Sequence, residues 1–176
     1  MKTLLTEKQL QIGVARMASE IAEVYGRESL TIVGILTGSV VLLADLIRLL
    51  EMPLRVGVLQ ASSYRQGTTR ESLVINSDMM LDIQSRDVLL VDDIFDTGHT
   101  LLGVISQLKR FEVNSVRSAV LLRKNGRQEV ALEPDFIGFD IPDEFVVGYG
   151  LDYRDLYRNL RCLAALEPDD LSGDER

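Results

Sequence analysis

From Val88 to Leu101 the chain reads VLLVDDIFDTGHTL, and this stretch restricts the fold more than any other. Val88 to Val91 is short, continuously apolar and β-branched at both ends, as suits a strand buried on both faces of a parallel sheet. Three carboxylates follow within five residues, at Asp92, Asp93 and Asp96, and then a small turn at Thr97 and Gly98 opens an apolar segment of helical period. Open parallel sheets place ligands outside the carboxyl ends of their strands, which is where these acids fall. Thr97 to Thr100 would present backbone N–H groups and hydroxyls at a helix N-terminus, a site for phosphate. Read singly, each residue is as well explained by a turn and a helix cap. Together the acids repel one another in a loop that must also turn, so a bound cation or a polyhydroxylated, phosphorylated ligand is the more economical account.

Strands alternate with helices along the rest of the chain. Thr6 caps an amphipathic helix whose apolar positions are Leu10, Ile12, Val14, Met17, Ala18 and Ile21 and which ends near Gly26. Leu30 to Leu36 reads as a buried strand, Gly38-Ser39 as a turn, and Val40 to Leu50 as an apolar helix stopped by Pro53. Arg55 to Ala61 is strand-like. Gly98 to Phe111 forms the next helix, and Val116 to Leu122, Phe136 to Phe139 and Phe145 to Tyr149 the later strands. This order predicts an α/β fold with a parallel sheet and right-handed crossovers. Ser62 to Glu71, SSYRQGTTRE, is polar and has little to bury; with Leu73 to Asn76 as a short strand it forms an excursion outside that core. Residues 1–166 are expected to form one domain, and the acidic residues 167–176 a disordered tail.

A chain of 176 residues supports one domain with a proper core. A formal charge of −8 and a pI near 4.7 argue against nucleic-acid or membrane-surface partners, which call for basic patches, and favour a small-molecule partner. The single cysteine, Cys162, has apolar neighbours and is expected to be a buried, inert thiol. MKTLLTEKQL lacks the apolar core of a signal peptide, so a cytoplasmic location is expected.

The stretch from Val88 to Leu101 resembles the phosphoribosyl pyrophosphate (PRPP) signature of the type I phosphoribosyltransferases. A second stretch, Pro134 to Tyr153, PDFIGFDIPDEFVVGYGLDY, continuing to Arg158, is similar to the hypoxanthine and hypoxanthine-guanine branch of that family and not to the uracil, orotate or adenine branches. The resemblance implies a central parallel sheet flanked by helices, with a small hood and a mobile lid loop. It implies Mg²⁺-dependent transfer of the 5-phosphoribosyl group from PRPP to hypoxanthine or guanine, releasing pyrophosphate in purine salvage.

Carried over by position, the resemblance places the 5′-phosphate on Asp96, Thr97, Gly98, His99 and Thr100, and the ribose hydroxyls at Asp92 and Asp93, directly or through Mg²⁺. Asp96 matches the general base at N7 of the purine. A free aspartate, with a pKa of about 3.9, is a weak base at neutral pH, and closure beside Asp92, Asp93 and phosphate is expected to raise it. Leu36, Thr37 and Gly38 match a pyrophosphate loop with a non-proline cis bond at Leu36-Thr37; many relatives carry a lysine where this chain has Thr37. Without the second stretch, ILTGS would read as a turn into an N-capped helix.

Lys124 precedes Phe145 by twenty-one residues, the family separation between the lysine that reads the 6-oxo group and the aromatic that stacks on the base. Val146 would contribute main-chain groups to the purine edge, while Val147 belongs in the core. Asp152 matches a position beside the purine that ligates a second Mg²⁺, so Asp92, Asp93 and Asp152 form the implied metal set. Arg158 matches a pyrophosphate contact, six residues on and about two turns away if the segment is helical. Ser63 and Tyr64 match the start of the lid. His99, the only histidine, is explained by its backbone N–H. A homodimer or homotetramer is implied. A PRPP-sensing regulator lacking catalysis would need a nucleic-acid surface that the acidic charge disfavours. A phosphoacceptor receiver domain would need the Asp92-Asp93 pair near the start of the fold.

Overall fold

In the computed structural model, residues 1–65, 71–76 and 81–171 are described, with only the backbone at 62–65, 71–76, 169 and 171. The elements in chain order are β1 (Lys2–Leu5), α1 (Glu7–Tyr25), β2 (Leu30–Leu36), α2 (Val40–Ile47), β3 (Leu54–Arg65), β4 (Glu71–Asn76) and β5 (Asp87–Phe95). Then follow α3 (His99–Leu108), β6 (Ser115–Lys124), β7 (Phe136–Ile141), β8 (Val146–Val147), β9 (Leu163–Ala165) and α4 (Pro168–Leu171).

Six strands form the main sheet in the order β4-β3-β2-β5-β6-β7. Five run parallel, and only β4 runs antiparallel, against β3. The apolar run of β5 is divided between the faces by the two-residue period of a strand. Leu89 and Val91 join the cluster that packs under α1 and α2, while Val88 and Leu90 join the one under α3. All four side chains are fully buried, and each leucine contributes about 1.5–3 kcal/mol by leaving water. The helix boundaries follow local chemistry. The Thr6 hydroxyl accepts the Gln9 N–H at 3.3 Å and the Gln9 side chain accepts the Thr6 N–H at 2.9 Å, a closed capping box, and α1 ends at Gly26.

Several boundaries differ from the sequence-based expectation. β5 continues through Asp92 and Asp93 to Phe95, because pairing with β6 persists to Phe95↔Arg123, so the first two acids lie on the strand and only Asp96 follows it. β3 continues to Arg65, paired with β4, and therefore includes Ser63 and Tyr64; the rest of the expected lid, residues 66–70, lies outside the described residues. β8 leaves the main sheet for a small antiparallel one, ordered β1-β9-β8. Asp152 to Arg158 is a series of turns and not helical, with Arg154, Asp155 and Tyr157 at positive φ. Cys162 is half-buried just before β9, not fully buried. Of the acidic end expected to be disordered, Pro168–Leu171 is helical, and Glu167 and Asp170 pair with the N-terminal ammonium at 2.6 and 2.7 Å; residues 172–176 lie outside the described residues. Among the described residues, no helix is long and apolar enough to cross a membrane.

Candidate active site

The order in which strands are added reverses between the parallel neighbours β2 and β5. From β2 the next parallel strand, β3, lies to one side, whereas β5, β6 and β7 lie to the other. Loops leaving two such strands diverge and open a crevice at their carboxyl ends. Here those loops are Leu36–Ser39 and Asp96–Gly98, and together they wall a cavity of about 310 Å³.

The second loop is a turn of the kind that can take an anion. Gly98, at φ 89°, is the N-cap of α3 and has no side chain to offer the first turn, so the opening amides of a ten-residue helix carry no side-chain cap. Thr97, Gly98 and Thr100 line the cavity as expected. His99 does not: its exposed ring turns outward to Glu129, Nε2 to carboxylate 3.0 Å.

The first loop carries the non-proline cis bond at Leu36-Thr37. Ser39 does not cap α2 with its side chain; its buried hydroxyl donates to the Ile35 carbonyl at 2.6 Å, folding the loop back onto β2. Gly38 packs directly on the Asp93 carboxylate, and a Cβ there would overlap the carboxyl oxygen. Overpacking of this kind costs about 1–3 kcal/mol. Gly38→Ala is therefore expected to lower the melting midpoint by about 5 °C and to weaken binding of pyrophosphate in a calorimetric titration by about tenfold or more. An unchanged melt and titration would show that the loop yields freely.

Asp92 is buried and Asp93 half-buried on the cavity wall. The Asp93 N–H donates to the Asp92 carboxylate at 3.0 Å. Loss of water pushes the pKa of both carboxyls up; beyond that, the charge of Asp93 pushes Asp92 higher still, while hydrogen bonds and the Arg158 guanidinium partly offset the rise at Asp93. Between the unfolded carboxyl pKa of about 3.9 and the raised folded values, the folded chain holds protons that the unfolded chain has released. Stability from this pair therefore falls as pH rises through that window. In EDTA, Asp93→Asn is expected to flatten the decline and to melt higher than the parent at pH 7–8. A variant that melts lower there would show that the pair is already balanced within the protein.

Behind Asp93 lies a second cavity of about 240 Å³, walled by Asp96, Lys124, Phe145, Val146, Leu151 and Asp152. Lys124, at the end of β6, is 12 % exposed and points its ammonium at Asp96, 3.4 Å away, and at Asp143, 3.3 Å away. Phe145 is 49 % exposed and meets Tyr153 edge-on at 5.5 Å, so it is a free aromatic face and not a core side chain. Val146 and Val147 are buried. Asp152 lines both cavities and Arg158 the first; Arg158 donates to the Gly150 carbonyl at 2.8 Å and to Asp152 at 2.7 Å, while Asp152 also accepts the Asp155 N–H at 2.8 Å.

Two features depart from the sequence expectation. Asp96 faces two cations, Lys124 and Arg127 (Nε 3.0 Å), and not chiefly the other acids. Arg127, not picked out from the sequence, sits in the β6–β7 connection, which folds back over the anion turn: the Glu129 N–H donates to the Thr97 carbonyl at 3.0 Å, and Val130 packs against Gly98. Among the described residues, no three ligating side chains converge as a metal cage. Asp92, Asp93 and Asp152 nevertheless line one cavity. Magnesium that keeps its waters and binds mainly to substrate phosphates needs only one or two carboxylates, and the Asp92-Asp93 pair on the cavity wall fits that demand.

The chain matches the family described as phosphoribosyl transferase domain over residues 1–154. It is 42% identical over 167 residues to the hypoxanthine-guanine phosphoribosyltransferase of Staphylococcus epidermidis, covering 94% of this chain and 93% of that protein. The crystal structure of a hypoxanthine phosphoribosyltransferase from Staphylococcus aureus superposes with a TM-score of 0.91 at 36% identity, over 99% of this chain and 95% of that one. A hypoxanthine-guanine phosphoribosyltransferase from Bacillus anthracis gives 0.88 at 34% identity, over 95% and 99%.

Proposed function

The chain belongs to the phosphoribosyl transferase domain family, and from that premise we propose that it transfers the 5-phosphoribosyl group of PRPP to hypoxanthine, and to guanine, with release of pyrophosphate. One observation carries the choice of nucleobase: the Asp96 carboxylate and the Lys124 ammonium stand 3.4 Å apart on the wall of the cavity flanked by Phe145. A 6-oxopurine carries N7 and O6 side by side on one edge, so an acceptor for the N7 proton beside a donor to O6 matches that edge.

The remaining residues follow from where charge lies on PRPP. The amides of Thr97 to Thr100, at the start of α3, hold the 5′-phosphate. Asp92 and Asp93 receive the ribose hydroxyls. The loop at Thr37 and Gly38 and the guanidinium of Arg158 hold the pyrophosphate, for which a planar fork is suited. As a purine ring nitrogen bonds to the anomeric carbon, the bond from that carbon to the pyrophosphate oxygen breaks, and the N7 proton passes to Asp96. Phe145 keeps the base plane in line with the sugar and excludes water from its face. Asp92, Asp93 and Asp152 would hold Mg²⁺, which when bound would supply neutralising charge to the pyrophosphate. Ser63 and Tyr64 begin the lid in this reading, with their side chains outside the described residues. The proposal extends to a cytoplasmic enzyme that assembles as a homodimer or homotetramer, which sedimentation would resolve.

The direct test mixes the protein with PRPP, Mg²⁺ and hypoxanthine and follows inosine monophosphate by absorbance. Product formation is expected, with guanine giving guanosine monophosphate. Absence of both products from folded protein overturns the reading.

A further inference from the structure

The Asp96–Lys124 edge is one side of a closed arrangement of four charges. Asp96 meets Arg127 at 3.0 Å, Arg127 meets Asp143 at 3.7 Å, and Asp143 returns to Lys124 at 3.3 Å. The inner two, Lys124 and Asp96, line the smaller cavity, whereas Arg127 and Asp143 stand behind them, 43 and 50 % exposed. We propose that Arg127 and Asp143 are positioning residues: Arg127 aims the Asp96 carboxylate, and Asp143 aims the Lys124 ammonium, at neighbouring atoms of the incoming purine.

When a 6-oxopurine enters, the pair at 3.4 Å has to part, because Lys124 turns to the oxygen and Asp96 to the N7 proton. Each inner residue would then lose its opposite charge in a partly buried place. The outer pair prevents that: Asp143 stays with Lys124, Arg127 stays with Asp96, and only the edge facing the base opens. Arg127 is itself held by the backbone. Its connection is pinned to the anion turn by the Glu129 N–H on the Thr97 carbonyl, by Glu129 on His99, and by Val130 against Gly98. The guanidinium is therefore delivered to Asp96 from a segment registered to the phosphate site.

Isolated exposed ion pairs add little to stability, so the proposal predicts an effect on turnover and not on the melting midpoint. It rests on the assignment of Asp96 and Lys124 to the purine, and the experiment separates the two. Turnover is measured with labelled hypoxanthine, which keeps slow variants measurable. Arg127→Met is expected to lower kcat about tenfold to a hundredfold, the scale of a misplaced reacting group, with KM for PRPP unchanged. Arg127→Lys, which keeps the charge without the planar fork, should recover part of that loss. On an Asp96→Asn background, Arg127→Met should cost nothing further, since its effect passes through that carboxylate. Asp143→Asn should raise KM for hypoxanthine about fivefold or more, an effect that disappears on a Lys124→Met background. An unchanged kcat in Arg127→Met, an equal loss on both backgrounds, or a change confined to the PRPP KM overturns the inference while leaving the enzyme reading intact. A parent protein that makes no nucleotide overturns the underlying reading instead.

Discussion

Asp96→Asn is expected to lower kcat for nucleotide formation by at least about 100-fold, the lower end of what a positioned base contributes, equivalent to about 2.7 kcal/mol of barrier. KM for PRPP should stay within about threefold of the parent, because an interaction that strengthens only as the proton moves is lost from kcat and not from ground-state binding. The geometry supports the split. Asp96 is the one acid of the three that lies beyond the end of β5, between the anion turn and the cavity that holds Lys124 and Phe145. The amides at the start of α3 do not depend on its charge. Asparagine fills the same space and can still accept from Arg127 through its carbonyl, so the turn should keep its shape. Steady-state kinetics over both substrates decide the matter. A variant within about tenfold of the parent, worth only about 1.4 kcal/mol, would remove Asp96 from the role of base.

Much of this site was legible because its signals are local. The acids follow a short apolar run, β-branched at both ends, that suits an interior strand, and the two-residue period that divides Val88 and Leu90 from Leu89 and Val91 needs no long-range information. Lys124 and Phe145 were picked out by the family resemblance, through their twenty-one-residue separation, and both line one cavity. What escaped has a common cause. Arg127 meets Asp96 across thirty-one positions only because the connection after β6 turns back without a helix; nothing in KNGRQEV announces that path. β1 pairs with β9, joining the two extremes of the described chain through Lys2↔Ala165, and two such short strands carry too few residues for a readable alternation. The turns from Asp152 to Arg158 carry no sequence sign of themselves because their left-handed positions are filled by Arg154, Asp155 and Tyr157 and not by glycine. Arg158 reaches Asp152 by that irregular route, not by helical periodicity.

Discrimination between oxo- and aminopurines should be equally pronounced. Lys124 has three N–H donors and no acceptor, and its side chain is 12 % exposed. Hypoxanthine offers O6 to it, whereas adenine presents an amino group, donor against donor, and leaves a half-buried ammonium facing no acceptor on the base. Sites that depend on one such hydrogen bond reject the analogue lacking it by about 10⁴; partial access of water and the two carboxylates already on Lys124 reduce the figure here to about 10³ in kcat/KM. Lys124→Met keeps the length and apolar stem of the side chain and removes the donor. It is expected to lower kcat/KM for hypoxanthine by about 100-fold, a charged hydrogen bond being worth about 1.5–3 kcal/mol, while adenine changes little, so the preference shrinks by the same factor. Measuring both bases with both proteins tests the assignment without reference to absolute rates. If adenine and hypoxanthine fell together in Lys124→Met, the lysine would be supporting the cavity wall and the oxygen would be read elsewhere, by main-chain groups near Val146.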